Sequence, residues 1–169
     1  MAKKLFDNKK FNVVDFGAIG DGIADDRNAF QACFDAAIVA RGKVIIPVPD
    51  NYYKIGSTIN VLPGASNQVH VDVEMHGWGN TGPAPIRYTG ANRTKVFNIV
   101  GLKKCIWSGL AIDIDPARSE IVVFDILTTQ AADSSTYVTW KNCHVNLTGN
   151  HSIGWRTGHK KNNGGGDIS

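Results

Sequence analysis

Two carboxylates, Asp113 and Asp115, stand two residues apart in the run Cys105-Ile-Trp-Ser-Gly-Leu-Ala-Ile-Asp-Ile-Asp115. Alternating apolar and polar positions predict a strand, and strand residues at i and i+2 share one face about 6.5–7 Å apart at the backbone. Glycoside hydrolysis commonly needs two carboxylates, about 5–5.5 Å apart for retention or about 6.5–9.5 Å for inversion. The spacing permits that chemistry, so Asp113 and Asp115 are the catalytic candidates. A lyase would instead need a base, often with a cation that acidifies the sugar's α-proton. Outward Asp residues are also ordinary solvated groups, and that reading stands beside the catalytic one.

The neighbours of these residues come from an internal repeat. Cys105-Ile-Trp-Ser-Gly-Leu-Ala-Ile-Asp-Ile114 lies over Val138-Thr-Trp-Lys-Asn-Cys-His-Val-Asn-Leu147 at an offset of 33 residues without gaps. Each copy is apolar-x-apolar, two turn residues, then apolar-x-apolar-x-apolar, which reads as two strands meeting at a bend. Like residues one coil apart should stack in a parallel solenoid. Ala111, Asp113 and Asp115 then lie beside His144, Asn146 and Thr148 on a polar stripe, which makes His144 and Asn146 substrate-binding candidates. Trp107 and Trp140 take equivalent inward positions and should stack in the core. Trp78 and Trp155 lie near turns and are the candidates for stacking on sugar.

Other motifs exclude chemistry. Gly77-Trp-Gly-Asn-Thr-Gly82 matches the dinucleotide fingerprint, but Pro83 and Pro85 follow it where a helix N-terminus is required. Gly17-Ala-Ile-Gly-Asp-Gly22 lacks the Lys-Ser/Thr ending of a phosphate loop. His144, His151 and His159 fit no ligand spacing, and Cys33, Cys105 and Cys143 form neither a zinc motif nor a disulfide framework. No metal and no cofactor is expected.

The elements that must hold the stripe are mostly short strands. Runs at 44–46, 52–55, 58–62, 69–75, 86–88, 96–100, 105–114, 121–127, 138–147 and 152–155 are separated by Gly, Asn, Pro and Ser. Phe11 to Phe16 also reads as a β-rich run, followed by turns held by Asp15 and Asp21. One helix is predicted over 26–41. Phe30, Cys33, Phe34, Ala37 and Ile38 make a single apolar stripe, Asp25 and Asp26 cap the start, and Gly42 sits at the C′ position. Thr128 to Thr136 reads as a projecting loop.

The chain has 169 residues, of which 43% are hydrophobic and 20% charged, about one folded domain's worth. Net charge is +3 with scattered basic residues, which argues against a nucleic-acid partner. No apolar run reaches the length of a membrane span, and the start lacks a secretory h-region, so the triplets at Asn92 and Asn146 carry little weight as glycosylation sites.

The segment Asn12-Val-Val-Asp-Phe-Gly-Ala-Ile-Gly-Asp-Gly-Ile-Ala-Asp-Asp26, with Ala29-Phe-Gln-Ala-Cys-Phe-Asp-Ala-Ala37 and Gly42-Lys-Val-Ile-Ile-Pro47, resembles the N-terminal signature of the pectate-lyase-like superfamily. Val73-Glu-Met-His-Gly-Trp-Gly79 and Ile86-Arg-Tyr-Thr-Gly90 resemble its coils. The resemblance covers residues 11–155 and implies an all-β fold: a single-stranded right-handed parallel β-helix with an N-terminal amphipathic helix as cap. Residues 1–10 are then an extension, and 11–169 the β-helix domain. The chain's end, Asn162-Asn-Gly-Gly-Gly-Asp-Ile-Ser169, has no visible cap, and the expectation is the first part of a longer β-helix.

The superfamily includes pectinases, polysaccharide lyases and phage tailspike depolymerases. Its pectinase motifs (Asn-Thr-Asp, a double Asp, Gly-His-Gly, Arg-Ile-Lys) are not found here. The resemblance with these departures implies a tailspike or tail-fibre protein that binds and depolymerises host surface polysaccharide. It further implies a virion location, a homotrimer and contacts with other tail proteins. The alternatives are a non-enzymatic glycan-binding virion β-helix and the start of a bacterial pectinase-like hydrolase or lyase.

Overall fold

The computed structural model describes residues 9–62, 70–76, 83–102, 104–129, 137–147 and 152–160. Thirteen strands and one α-helix are found among them. In chain order these are β1 (Lys10–Asn12), α1 (Arg27–Ala40), β2 (Lys43–Pro47), β3 (Tyr53–Ile55), β4 (Ile59–Val61), β5 (His70–His76) and β6 (Ile86–Tyr88). There follow β7 (Lys95–Val100), β8 (Lys104–Ser108), β9 (Ala111–Ile114), β10 (Val122–Thr129), β11 (Tyr137–Lys141), β12 (His144–Asn146) and β13 (Ile153–Lys160). From β2 onward the chain visits three sheets in fixed rotation. The sheet orders are β1-β2-β5-β8-β11, β3-β6-β9-β12 and β4-β7-β10-β13. The pairings are parallel. The described chain is thus mostly β with parallel sheets and one α-helix, consistent with a parallel β-helix-like fold.

The 33-residue repeat is the strand register. Cys105 pairs with Val138 and Trp107 with Trp140 in the first sheet, and Ile112 with Val145 in the second. Between the two strands of each copy the chain bends through left-handed residues, Gly109 at φ +70° and Asn142 at φ 52°. Gly109 is needed twice over, because a Cβ there would lie 2.8 Å from the Met75 carbonyl oxygen.

Parallel register turns inward residues into columns. Phe11, Val44, Val73, Trp107 and Trp140 are successive partners in the first sheet. Ile59, Phe97, Phe124 and Trp155 are partners in the third. Trp107 stacks on Trp140 at 5.7 Å, and Phe97 on Phe124 at 5.4 Å. Such ring contacts add to the large apolar area each buries.

One end of these columns is sealed by α1. Phe30 meets Tyr53 edge-on at 5.2 Å, and Phe34 stacks on Trp107 at 5.8 Å. Side chains near the helix start also cover the outer edge of β4 and the connection between β3 and β4. Gln31 donates to the Asn60 carbonyl and accepts from the Asn60 amide, each at 2.8 Å. The Arg27 Nε–H donates to the Thr58 carbonyl at 3.0 Å, and the Gly56 amide donates to Asp25 at 3.0 Å. Edge strands otherwise template further pairing.

Three local expectations need correction. The run at 11–16 is strand only in β1; Val13–Phe16 is a 3-10 turn. Asn12 captures the Val14 amide at 3.0 Å, and Gly17 ends the turn at φ +98°. Asp26 makes no side-chain cap. Its buried carboxylate accepts the Ile19 amide at 2.6 Å and the Gly20 amide at 3.2 Å, so it anchors the glycine turn instead. The left-handed residue closing α1 is Arg41, not Gly42. Gly42 is required because a Cβ would meet the Phe11 ring at 2.5 Å. Asp21 does hold a turn, accepting the Ile23 and Ala24 amides at 2.8 Å. Of the stretch 128–136, Thr128 and Thr129 belong to β10 and the rest lies outside the described residues.

Candidate functional site

Outward positions of the second sheet form a row of polar residues, one from each strand. Lys54, Arg87, Asp113 and Asn146 are successive Cα partners. Neighbouring strands step by about 4.8 Å, so the row is a regular ladder of donors and acceptors. Arg87 is its centre. Its guanidinium lies over the Tyr52 ring, 4.5 Å from the centroid, and 3.9 Å from the Asp113 carboxylate. At that distance the pair is coulombic rather than hydrogen-bonded. The buried Nε of Arg87 has no hydrogen-bond partner among the described residues. Lys54 donates to the Ile23 carbonyl at 3.1 Å.

The sequence-indicated residues divide. Asp113 and Asn146 meet in this row, and His144 stands opposite Ala111 on the same strand as Asn146. His144 and Asn146 are exposed. Asp115 lies past the end of β9. It accepts the Ala117 amide at 2.9 Å and donates its own amide to the Tyr88 carbonyl at 2.9 Å. The two carboxylates therefore do not lie along one strand. Trp155 belongs to the inward column, stacked on Phe124 at 6.2 Å, and is 46% exposed as the last ring of that column among the described residues. Trp78, Thr148 and His151 lie outside the described residues.

Two further polar clusters escaped the sequence reading. On the first sheet the Glu74 carboxylate bridges Lys43 Nζ at 2.7 Å and His76 Nε2 at 2.8 Å. The Lys43 hydrogen bond is the main reason that Glu74 titrates below the usual carboxylate range. The alternation in His70-Val-Asp-Val-Glu-Met-His76 was the available signal. On the third sheet Asn60, Asn98, Asp125 and Arg156 are successive partners. The Arg156 Nε–H donates to Asp125 at 2.8 Å, and Lys95 Nζ is hydrogen-bonded to its other oxygen. Asp125 is fully buried although it points outward. Burial alone would raise its pKa, but the hydrogen bonds from Arg156 and Lys95 outweigh it and hold the carboxyl below its ordinary value.

Among the described residues no group of three or more His, Cys, Asp or Glu side chains is placed to hold a metal ion. No described helix is long and apolar enough to cross a membrane.

No family model matches the chain. Mannuronan C5-epimerase AlgE1 of Azotobacter vinelandii is 44% identical over 54 residues, 32% of this chain and 4% of AlgE1. Plasmin and fibronectin-binding protein A of Streptococcus pneumoniae is 42% identical over 53 residues, 31% of this chain and 7% of that protein. Among solved structures, ORF18 of Geobacillus virus E2 matches 71% of this chain at a TM-score of 0.50 and 23% identity. The A-module of mannuronan C5-epimerase AlgE6 matches 88% at a TM-score of 0.48 and 23% identity. This chain spans 25% and 44% of those two chains, so each relative is much longer than the part it shares. The likeness to ORF18 is one of fold.

Proposed function

We propose that the chain is the helix-capped start of a right-handed, single-stranded parallel β-helix of the phage tailspike or tail-fibre type, whose second sheet binds host surface polysaccharide. The carrying observation is the row Lys54–Arg87–Asp113–Asn146, which offers a repeating polymer evenly spaced charged and amide groups. The Arg87 guanidinium rests over the Tyr52 ring, and its N–H groups are the donors offered to sugar oxygens. The likeness to enzymes named for acting on mannuronan supports the same class of ligand. A virion location and three copies side by side belong to this reading.

Depolymerisation is the further step of the proposal. One observation favours binding without cleavage as a second reading: Asp113 faces Arg87, and Asp115 is engaged in a turn. Both are tested on a panel of bacterial capsules and O-antigens. Calorimetry should find one polysaccharide that binds. Arg87→Ala should weaken it about tenfold to a hundredfold, the cost of about 1.5–3 kcal/mol for a hydrogen bond to a charged group. A panel with no binder, or unchanged affinity in Arg87→Ala, would overturn the assignment of this face. New reducing ends that disappear in Asp113→Asn would establish cleavage; binding with no new ends would establish the second reading.

A further inference from the structure

Hydrogen bonds do not fix the Arg87 side chain. Its Nε has no hydrogen-bond partner among the described residues, and the Asp113 carboxylate, at 3.9 Å, attracts the guanidinium without setting its orientation. The Tyr52 ring, its centroid 4.5 Å from the guanidinium carbon, is the contact that locates it. Tyr52 precedes β3 and is held in turn by Gly20-Asp21-Gly22, more than sixty residues of chain before Arg87. The Gly22 amide donates to the Tyr52 carbonyl at 3.0 Å, and the Asn51 amide to the Gly20 carbonyl at 3.2 Å. The Asn51 side-chain amide donates to the Asp21 carbonyl, also at 3.2 Å. Gly22 lies so close that a Cβ there would come within 2.9 Å of the ring's Cε1 and 3.0 Å of its Cζ, and its φ is +75°. Both facts require glycine. Beyond the turn, Asp25 bridges Lys54 in parallel, and the Asp26 amide donates to the Lys54 carbonyl at 2.9 Å. Residues 22–26 therefore run along the outer edge of β3, where an earlier strand of the second sheet would pair.

We propose that Tyr52 is the positioning residue of the second-sheet face: its ring holds the Arg87 guanidinium where the polysaccharide meets it, and the glycine turn holds the ring. The inference rests on the reading of that sheet as the polysaccharide-binding face. An arginine that rotates freely gives up rotamer entropy when it binds, whereas one already placed has given it up beforehand. The ring attracts the cation through its quadrupole and uses none of the N–H donors that sugar oxygens need. Asp113 cannot do the same, because a hydrogen-bonded carboxylate would occupy those donors. The glycine turn thus has a part in binding although it lies outside the row.

Two measurements test this. In the free protein, nuclear magnetic resonance should find the Arg87 Hε and Hδ signals moved upfield by the Tyr52 ring current. Tyr52→Leu and Gly22→Ala should return them toward random-coil positions, and Tyr52→Phe should not. Far-UV circular dichroism shows that each variant is folded, and Tyr52→Leu carries the test where Gly22→Ala fails to fold. Calorimetry then uses the polysaccharide selected from the capsule and O-antigen panel. Tyr52→Leu should weaken binding about twofold to thirtyfold, the range of a cation–ring contact. Tyr52→Phe should restore the affinity, and Tyr52→Leu added to Arg87→Ala should cause no further loss. Unmoved Arg87 signals in Tyr52→Leu would overturn the positioning role. So would a loss as large in Tyr52→Phe, which assigns the effect to the hydroxyl, or a loss that persists on top of Arg87→Ala. Unchanged affinity in Tyr52→Leu beside a loss in Arg87→Ala overturns the positioning role alone. A panel without a binder overturns the reading of the face and the role with it, and is told apart because every form, the intact chain included, then fails to bind.

Discussion

Asp125 shows how a residue on the outer side of a strand becomes part of the interior. Lys95 on the strand before and Arg156 on the strand after fold over it, and its carboxylate accepts from both. Its folded pKa lies below the ordinary value, so it contributes stability that is full above an unfolded pKa of about 3.9 and is lost as pH falls through the folded value. Thermal melts should therefore drop as pH falls below about 5. Asp125→Asn should flatten that drop and cost about 2 kcal/mol at neutral pH. That is less than a fully buried pair would lose, because both cations reach solvent. An unchanged acid slope in the variant would remove Asp125 from the account. The sequence concealed this residue because Ile121-Val-Val-Phe-Asp-Ile-Leu127 is apolar on both sides of the strand, and alternation assigns no face there. Asp113 and Asn146 were legible because their neighbours alternate cleanly and the 33-residue repeat supplies the register. The contact between Glu74 and Lys43 was not, since β2 and β5 share no repeat from which their pairing could be read.

At the scale of elements, α1 was the most legible feature, and its stripe from Ala29 to Ile38 is the face it buries. What the stripe covers could not be read from it, because Phe34 meets Trp107 and Phe97 across more than sixty residues of chain. Phe34→Ala should cost about 3–5 kcal/mol in urea unfolding, since it opens a cavity where α1 meets two aromatic columns. Gln31 shows what helical periodicity cannot see. It lies on the polar flank of the helix, yet its amide fills the place of a missing strand. Gln31→Ala should cost about 1–3 kcal/mol by leaving the Asn60 backbone unpaired. A loss within about 0.5 kcal/mol, typical of an exposed helix position, would mean that water replaces the amide. The 3-10 turn at Val13–Phe16 was misread for a related reason. Val-Val-Asp-Phe has strand propensity, but the Asn12 side chain competes for the backbone and wins.

For the whole molecule, stability should vary along the chain. Each strand pairs only within its own sheet, with the circuit before and the circuit after, so the free energy is close to a sum of neighbour terms. The first circuits have α1 on one side and a paired circuit on the other. Among the described residues the last has a partner on one side only, and its Trp155 and Ile153 are 46% and 47% exposed. Local opening should therefore be easiest at β13 and hardest at β5 and β7. Hydrogen exchange on the intact chain reads this gradient. The β13 amides that bond to β10 should exchange at least about a hundredfold faster than those joining β5 to β8, a difference of about 2.7 kcal/mol at 1.36 kcal/mol per decade. Uniform protection along the chain would mean instead that the columns from Phe34 to Trp155 open as one unit, and that the aromatic stack couples the circuits more strongly than backbone pairing does.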